Sequence, residues 1–133
     1  MTDPAQLLKS IYLGDRACKK LFLDGWKRRF CMQVDCISYL KKGKETWNFY
    51  NDENLIDGWI EFTDVAAISF SPDGVIPNDL IHEISVEILD GGHVFQAYVA
   101  GGTGKGETTE VVIKIQAKGI SIKTHQEFLA EYF

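Results

Sequence analysis

The run Gly101-Gly102-Thr103-Gly104-Lys105-Gly106 carries the glycines and lysine of which phosphate-cradling loops are made. The full pattern also requires glycine at position 99 and serine or threonine at 106, where this chain has Val99 and Gly106. Such a loop must open a helix, so that N-terminal amides meet the phosphates. Here it joins two strand-like stretches, and a mobile hairpin loop over 100–107 is expected. Glu83 and Glu87 share one face of an alternating stretch. Four residues at about 3.3 Å each separate them by roughly 13 Å, beyond the ~5–9.5 Å of paired glycosidase carboxylates. They are expected to be solvated outer-face charges.

Nucleophilic and metal chemistry find no better footing. There is no G-x-S-x-G elbow and no Cys/His signature. His82, His93 and His125 are scattered without zinc spacing, so no metal or cofactor is expected. His82 falls on the apolar side of its stretch and reads as a hydrogen-bonded core histidine; His93 and His125 read as surface positions. Cys18, Cys31 and Cys36 are an odd count, and 31 and 36 on one strand would face opposite sides. Three small buried thiols in a reducing cytoplasm is the expectation. Lys27-Arg28-Arg29 beside Trp26 and Phe30 is the one compact basic and aromatic cluster. Alternation splits it between faces in an acidic chain, so no nucleic-acid partner is expected.

The elements that must position these groups are mostly strands. Asp3, Pro4 and Gln6 have the types of a capped helix start, with Leu7, Leu8 and Ile11 on one face and Gly14 as its close. Strands at 17–23 and 26–40 flank Asp24-Gly25, a two-residue hairpin signal. Residues 41–45 read as a polar turn, 47–50 as a short edge strand and 51–57 as an acidic loop. Strands at 58–63 and 65–71 follow, with Ile60, Phe62, Ile68 and Phe70 as core candidates. Breaks at 71–74 and 77–79 lead to strands at 81–89 and 93–99, then to the clearest one, with Val111, Ile113, Ile115 and Ala117 on one face. After 120–122 the tail reads as a helix, Thr124 and Glu127 forming a capping box over Phe128, Leu129 and Tyr132. Helices only at the ends predict a mainly β fold: an antiparallel sandwich or partly open barrel with two short terminal helices.

One domain accommodates 133 residues and 15.0 kDa. With 45% apolar residues and a mean hydropathy of −0.11, neither disorder nor a membrane span is expected. Met1-Thr2-Asp3-Pro4 lacks signal-peptide features, and a cytoplasmic location is expected. The net charge of −5 resolves into +6 over residues 1–44, −11 over 45–104, which contain no Lys or Arg, and zero over 105–133. Either basic strands lie beside acidic ones, or an acidic surface meets a basic partner.

Ile11-Tyr12-Leu13-Gly14-Asp15-Arg16, Asp24-Gly25-Trp26, Val34-Asp35-Cys36-Ile37-Ser38 and Ile76-Pro77-Asn78-Asp79, with the 47–50 and 57–62 stretches, resemble a family of small uncharacterised bacterial proteins. Size and β-rich pattern are also similar to small immunity proteins that neutralise bacterial toxins. Neither resemblance carries a catalytic residue. The functional expectation is a non-enzymatic cytoplasmic protein-binding module. Asp52, Glu53, Asp57 and Asp79 form its acidic edge, and an exposed aromatic such as Trp47 or Trp59 anchors a basic partner. The alternatives are a small-ligand-binding β-barrel, an enzyme with a site assembled across strands, and a homodimer built through edge strands.

Overall fold

The protein is described by a computed structural model over residues 3–40, 50–102 and 105–133. Helix α1 (Pro4–Lys9) leads into β1 (Ile11–Tyr12), β2 (Cys18–Asp24), β3 (Arg29–Val34), β4 (Cys36–Leu40), β5 (Tyr50–Ile56) and β6 (Trp59–Thr63). Then come β7 (Ala67–Ser71), β8 (Ile81–Leu89), β9 (Gly92–Gly102), β10 (Thr108–Ala117), β11 (Gly119–Lys123) and helix α2 (His125–Tyr132). The expected class holds: a mainly β, sandwich-like fold of antiparallel sheets with a short helix at each end. The expected turns at 41–45 and strand at 47–50 lie outside the described residues, apart from Tyr50 in β5.

One four-stranded sheet runs β7-β10-β9-β8, another β11-β6-β3-β2, and a three-stranded sheet runs β1-β4-β5. The last two are made by the same passes of chain. Strand β3 continues as β4 beyond Asp35, and β5 continues as β6 beyond Asp57-Gly58. The corner is tied at one level: Ala17 N donates to Asp35 Oδ1, Asp35 N to Ala17 O, Asp57 N to Asp35 O and Val34 N to Gly58 O. The single strand expected over 26–40 is therefore two. Asp35 breaks it by accepting bonds from both neighbouring passes.

Alternation in β3, β6 and β10 sends Phe30, Met32, Val34, Ile60, Phe62, Val111, Ile113 and Ile115 into one core between the sheets. Phe62 stacks on Phe30 at 6.1 Å and meets Phe95 of the opposite sheet at 5.0 Å. Each such side chain contributes about 1.5–3 kcal/mol by leaving water. Ile68 is partly buried as expected, but Phe70, on the edge strand β7, stays half-exposed.

Local chemistry explains the remaining departures. Pro4 opens α1, but the Asp3 side chain makes no capping bond, and the helix ends at Ser10, well before Gly14. The β2–β3 turn takes four residues, 25–28, because Asp24 Oδ1 accepts Lys27 N and Arg28 adopts a left-handed φ of 56°. The acidic segment expected to be a loop is strand β5, paired to β4 with Leu55 opposite Ile37. A bulge between Ile81 and Glu83 breaks the alternation of β8, so His82 leaves the apolar face it was expected to join. The capping box of α2 forms as expected: Glu127 N donates to Thr124 Oγ1, and Thr124 N donates to Glu127 Oε1.

Candidate functional site

The outer faces of the two four-stranded sheets have different fates. On the β11-β6-β3-β2 sheet, the register lines up Phe22, Cys31, Glu61 and Ser121 in one row and Gln33 and Trp59 in the next. Helix α2 covers this face. Phe128 stacks on Trp59 with ring centroids 3.7 Å apart and meets Phe22 edge-on. Trp59 Nε1 donates to His125 Nδ1 at 3.1 Å. Trp59 is thus 2% exposed, and its expected role as an exposed anchor is corrected: the indole is spent on holding α2.

Beneath the same helix lies a charge cluster that the sequence reading did not single out. Glu61 Oε2 accepts the Tyr132 hydroxyl, while Oε1 accepts Ser121 Oγ and lies 3.3 Å from the Arg29 guanidinium and 3.7 Å from Lys123 Nζ. Glu131 bridges the same two cations, at 3.2 Å from Arg29 and 2.6 Å from Lys123. The cations hold the Glu131 carboxyl below its ordinary pKa, the Lys123 hydrogen bond foremost. Burial pushes the Tyr132 phenol strongly upward, reinforced by its bond to Glu61. The signal available beforehand was Glu61 set between Ile60 and Phe62 in a stretch too apolar to leave a carboxylate in water.

Two of the three thiols are inert by burial. Burial pushes Cys18 and Cys31 up to about 12, so neither supplies thiolate at neutral pH. Cys36 is only half-buried, unlike the expectation for all three. In the native protein at about pH 8 one thiol, Cys36, should react with a thiol reagent, and the other two only on unfolding. Counting two or more reactive thiols in the native state would contradict this.

Among the described residues no helix lies over the outer face of the β7-β10-β9-β8 sheet. With Ile84, Val86, Phe95, Ala97, Ile113 and Ile115 turned to the core, Glu83, Glu87, Gln96, Tyr98, Glu110 and Lys114 point outward. Glu83, Glu87 and the turn residue Asp90 are exposed and make no ion pair with any described residue. His82 reaches across β9 to Glu110, Nδ1 to Oε2 at 2.6 Å, with both side chains about half in solvent. Instead of the expected core histidine, this is an open surface pair. Among the described residues no group of three His, Cys, Asp or Glu is placed to hold a metal. No described helix is long and apolar enough to cross a membrane.

The acidic residues expected to act together are handled differently. Asp57 is bound to Lys19 at 2.6 Å, which lowers its pKa. Asp79 uses Oδ1 to accept Leu80 N, and its carbonyl accepts Cys18 N. The two carboxylates thus bond different partners, Lys19 for Asp57 and the Leu80 amide for Asp79. Asp52 and Glu53 lie on β5, with side chains outside the described residues, as is Trp47 altogether. Part of the opposite-charge arrangement is therefore internal, through Lys19–Asp57 and Arg29–Glu61.

Among comparisons with known proteins, the model of one family, described as a family of unknown function (DUF6258), matches residues 1–130. No curated protein and no solved structure matches.

Proposed function

We propose, from the premise that the chain belongs to the family of unknown function DUF6258, that it is a non-enzymatic protein-binding module with an acidic docking face for a basic partner. The observation that carries this reading is the uncovered face of the β7-β10-β9-β8 sheet. Its flank holds Glu83, Glu87 and Asp90 without a counter-ion among the described residues. An exposed carboxylate row costs little in water and becomes favourable when cations approach, which speeds and orients encounter. The neighbouring Tyr98, whose hydroxyl donates to Gln96 Oε1 at 2.7 Å, and Val112 supply the less polar centre such a contact needs. Asp52, Glu53 and Asp79 remain further acidic contributors. The immunity-type role, a cytoplasmic bacterial protein neutralising a basic toxin, is the specific form of this reading.

The test begins with the basic proteins that the immobilised chain retains from an extract of its source cells at low salt. One of them, purified, is then titrated against wild type and Glu83→Gln/Glu87→Gln. The reading expects the affinity to fall about tenfold or more in the variant and again between about 50 and 300 mM salt. Equal affinity for both proteins at both salt concentrations would refute the acidic face.

A further inference from the structure

We infer that the groove between α1 and the β10–β11 corner is a binding site for a small zwitterion with a branched aliphatic body, the chemistry of a free apolar amino acid. This is independent of the docking face, which lies on the other side of the β7-β10-β9-β8 sheet. The groove holds about 610 Å³, within the range of ~300–1,000 Å³ typical of small-molecule sites. Its lining has two characters. Leu7 of α1 and Ile120 and Ile122 of β11 give it an apolar wall, and Asp64, His93 and Lys118 give it a polar mouth.

The backbone brings these polar groups to one place from three segments. Lys118 N donates to Thr63 O at 3.0 Å, which seats Asp64 beside the corner. His93 stands opposite Ala117, the residue before Lys118. Asp64 holds a left-handed φ of 51°, uncommon outside glycine. Asp64 and Lys118 are both exposed, and neither makes an ion pair with any described residue.

A carboxylate and a cation that border one cleft without touching suit a ligand bearing both opposite charges. Lys118 takes the ligand carboxylate and Asp64 its ammonium, while the side chain lies on Leu7, Ile120 and Ile122. A simple fatty acid leaves Asp64 facing a second anion, and a simple amine leaves Lys118 facing a second cation. His93 lines the same groove. Its Nδ1 is buried with no hydrogen-bond partner among the described residues.

The experiment is a titration of the 15N-labelled full chain with L-leucine, watched by amide chemical shifts. Glycine, N-acetyl-leucine and leucinamide serve as partial probes. Leucine is expected to saturate, moving amides of Asp64, His93 and residues 118–122. Each partial probe should bind about tenfold more weakly or not at all, as should leucine to Lys118→Ala and Asp64→Asn. Both substitutions are at exposed positions, and unchanged spectra away from the groove verify that the variants fold. The site is overturned if leucine gives no saturable shift up to about 50 mM. It is equally overturned if glycine matches leucine, if removing either ligand charge has no effect, or if both variants bind as wild type. None of these outcomes bears on the acidic docking face, which Glu83→Gln/Glu87→Gln tests alone.

Discussion

Glu61→Ala should destabilise the protein by about 3–5 kcal/mol, the range found when one member of a buried ion cluster is removed. Glu61 is 2% exposed and answers four groups at once: Arg29, Lys123, Ser121 and Tyr132. Its loss leaves two cations sharing Glu131 alone and the Tyr132 hydroxyl without an acceptor under α2. An unsatisfied buried group costs its full desolvation, so the change exceeds the modest net value of each bond lost. Urea unfolding should show the midpoint moving down at constant slope. A loss below about 1 kcal/mol would mean that the cluster contributes no more than a surface pair. Glu61→Gln keeps the shape and some of the bonds, and should fall between the two proteins.

The second large effect belongs to Phe62→Ala, expected at about 3–5 kcal/mol from lost burial plus the cavity left behind. Phe62 is fully buried and joins the two large sheets, stacked on Phe30 on its own side and against Phe95 across the core. Aromatic walls on both sides leave little that can collapse into the space. Phe70→Ala is the matched control. At 37% exposed on the edge strand β7, it has less burial to lose and should cost under half as much. Equal losses at the two positions, measured by denaturant unfolding, would contradict this placement of the core.

What could be read from the residues alone divides by how local the signal is. Terminal helices, the capping box at Thr124 and the alternating faces of β10 depend on neighbours in sequence, and these were legible. The errors arise where a distant segment decides. The carboxylate of Asp35 is claimed by Ala17, which splits one apparent strand into β3 and β4. A single extra residue between Ile81 and Glu83 turns His82 outward, and period-two counting has no means of seeing a bulge. Residues 51–57 look like a loop by composition, yet Tyr50–Ile56 form a strand against β4, because strand formation depends on a partner more than on propensity. Trp59 illustrates the same limit for function: nothing in its neighbours announces that Phe128, sixty-nine positions later, will cover it.

The corner at Ala17, Asp35 and Asp57 bears on how the molecule comes apart. The passes that build the three-stranded sheet are the passes that build its four-stranded neighbour, so no linker separates them. Peeling β4 from β5 strains Asp35 and Asp57, and through them the pairing of β3 with β6. The two sheets are therefore one cooperative unit despite their separate hydrogen-bond ladders. Folding must bring residues 17, 35 and 57 together before either sheet is complete. That is a long-range closure, of the kind that makes β proteins slow to fold.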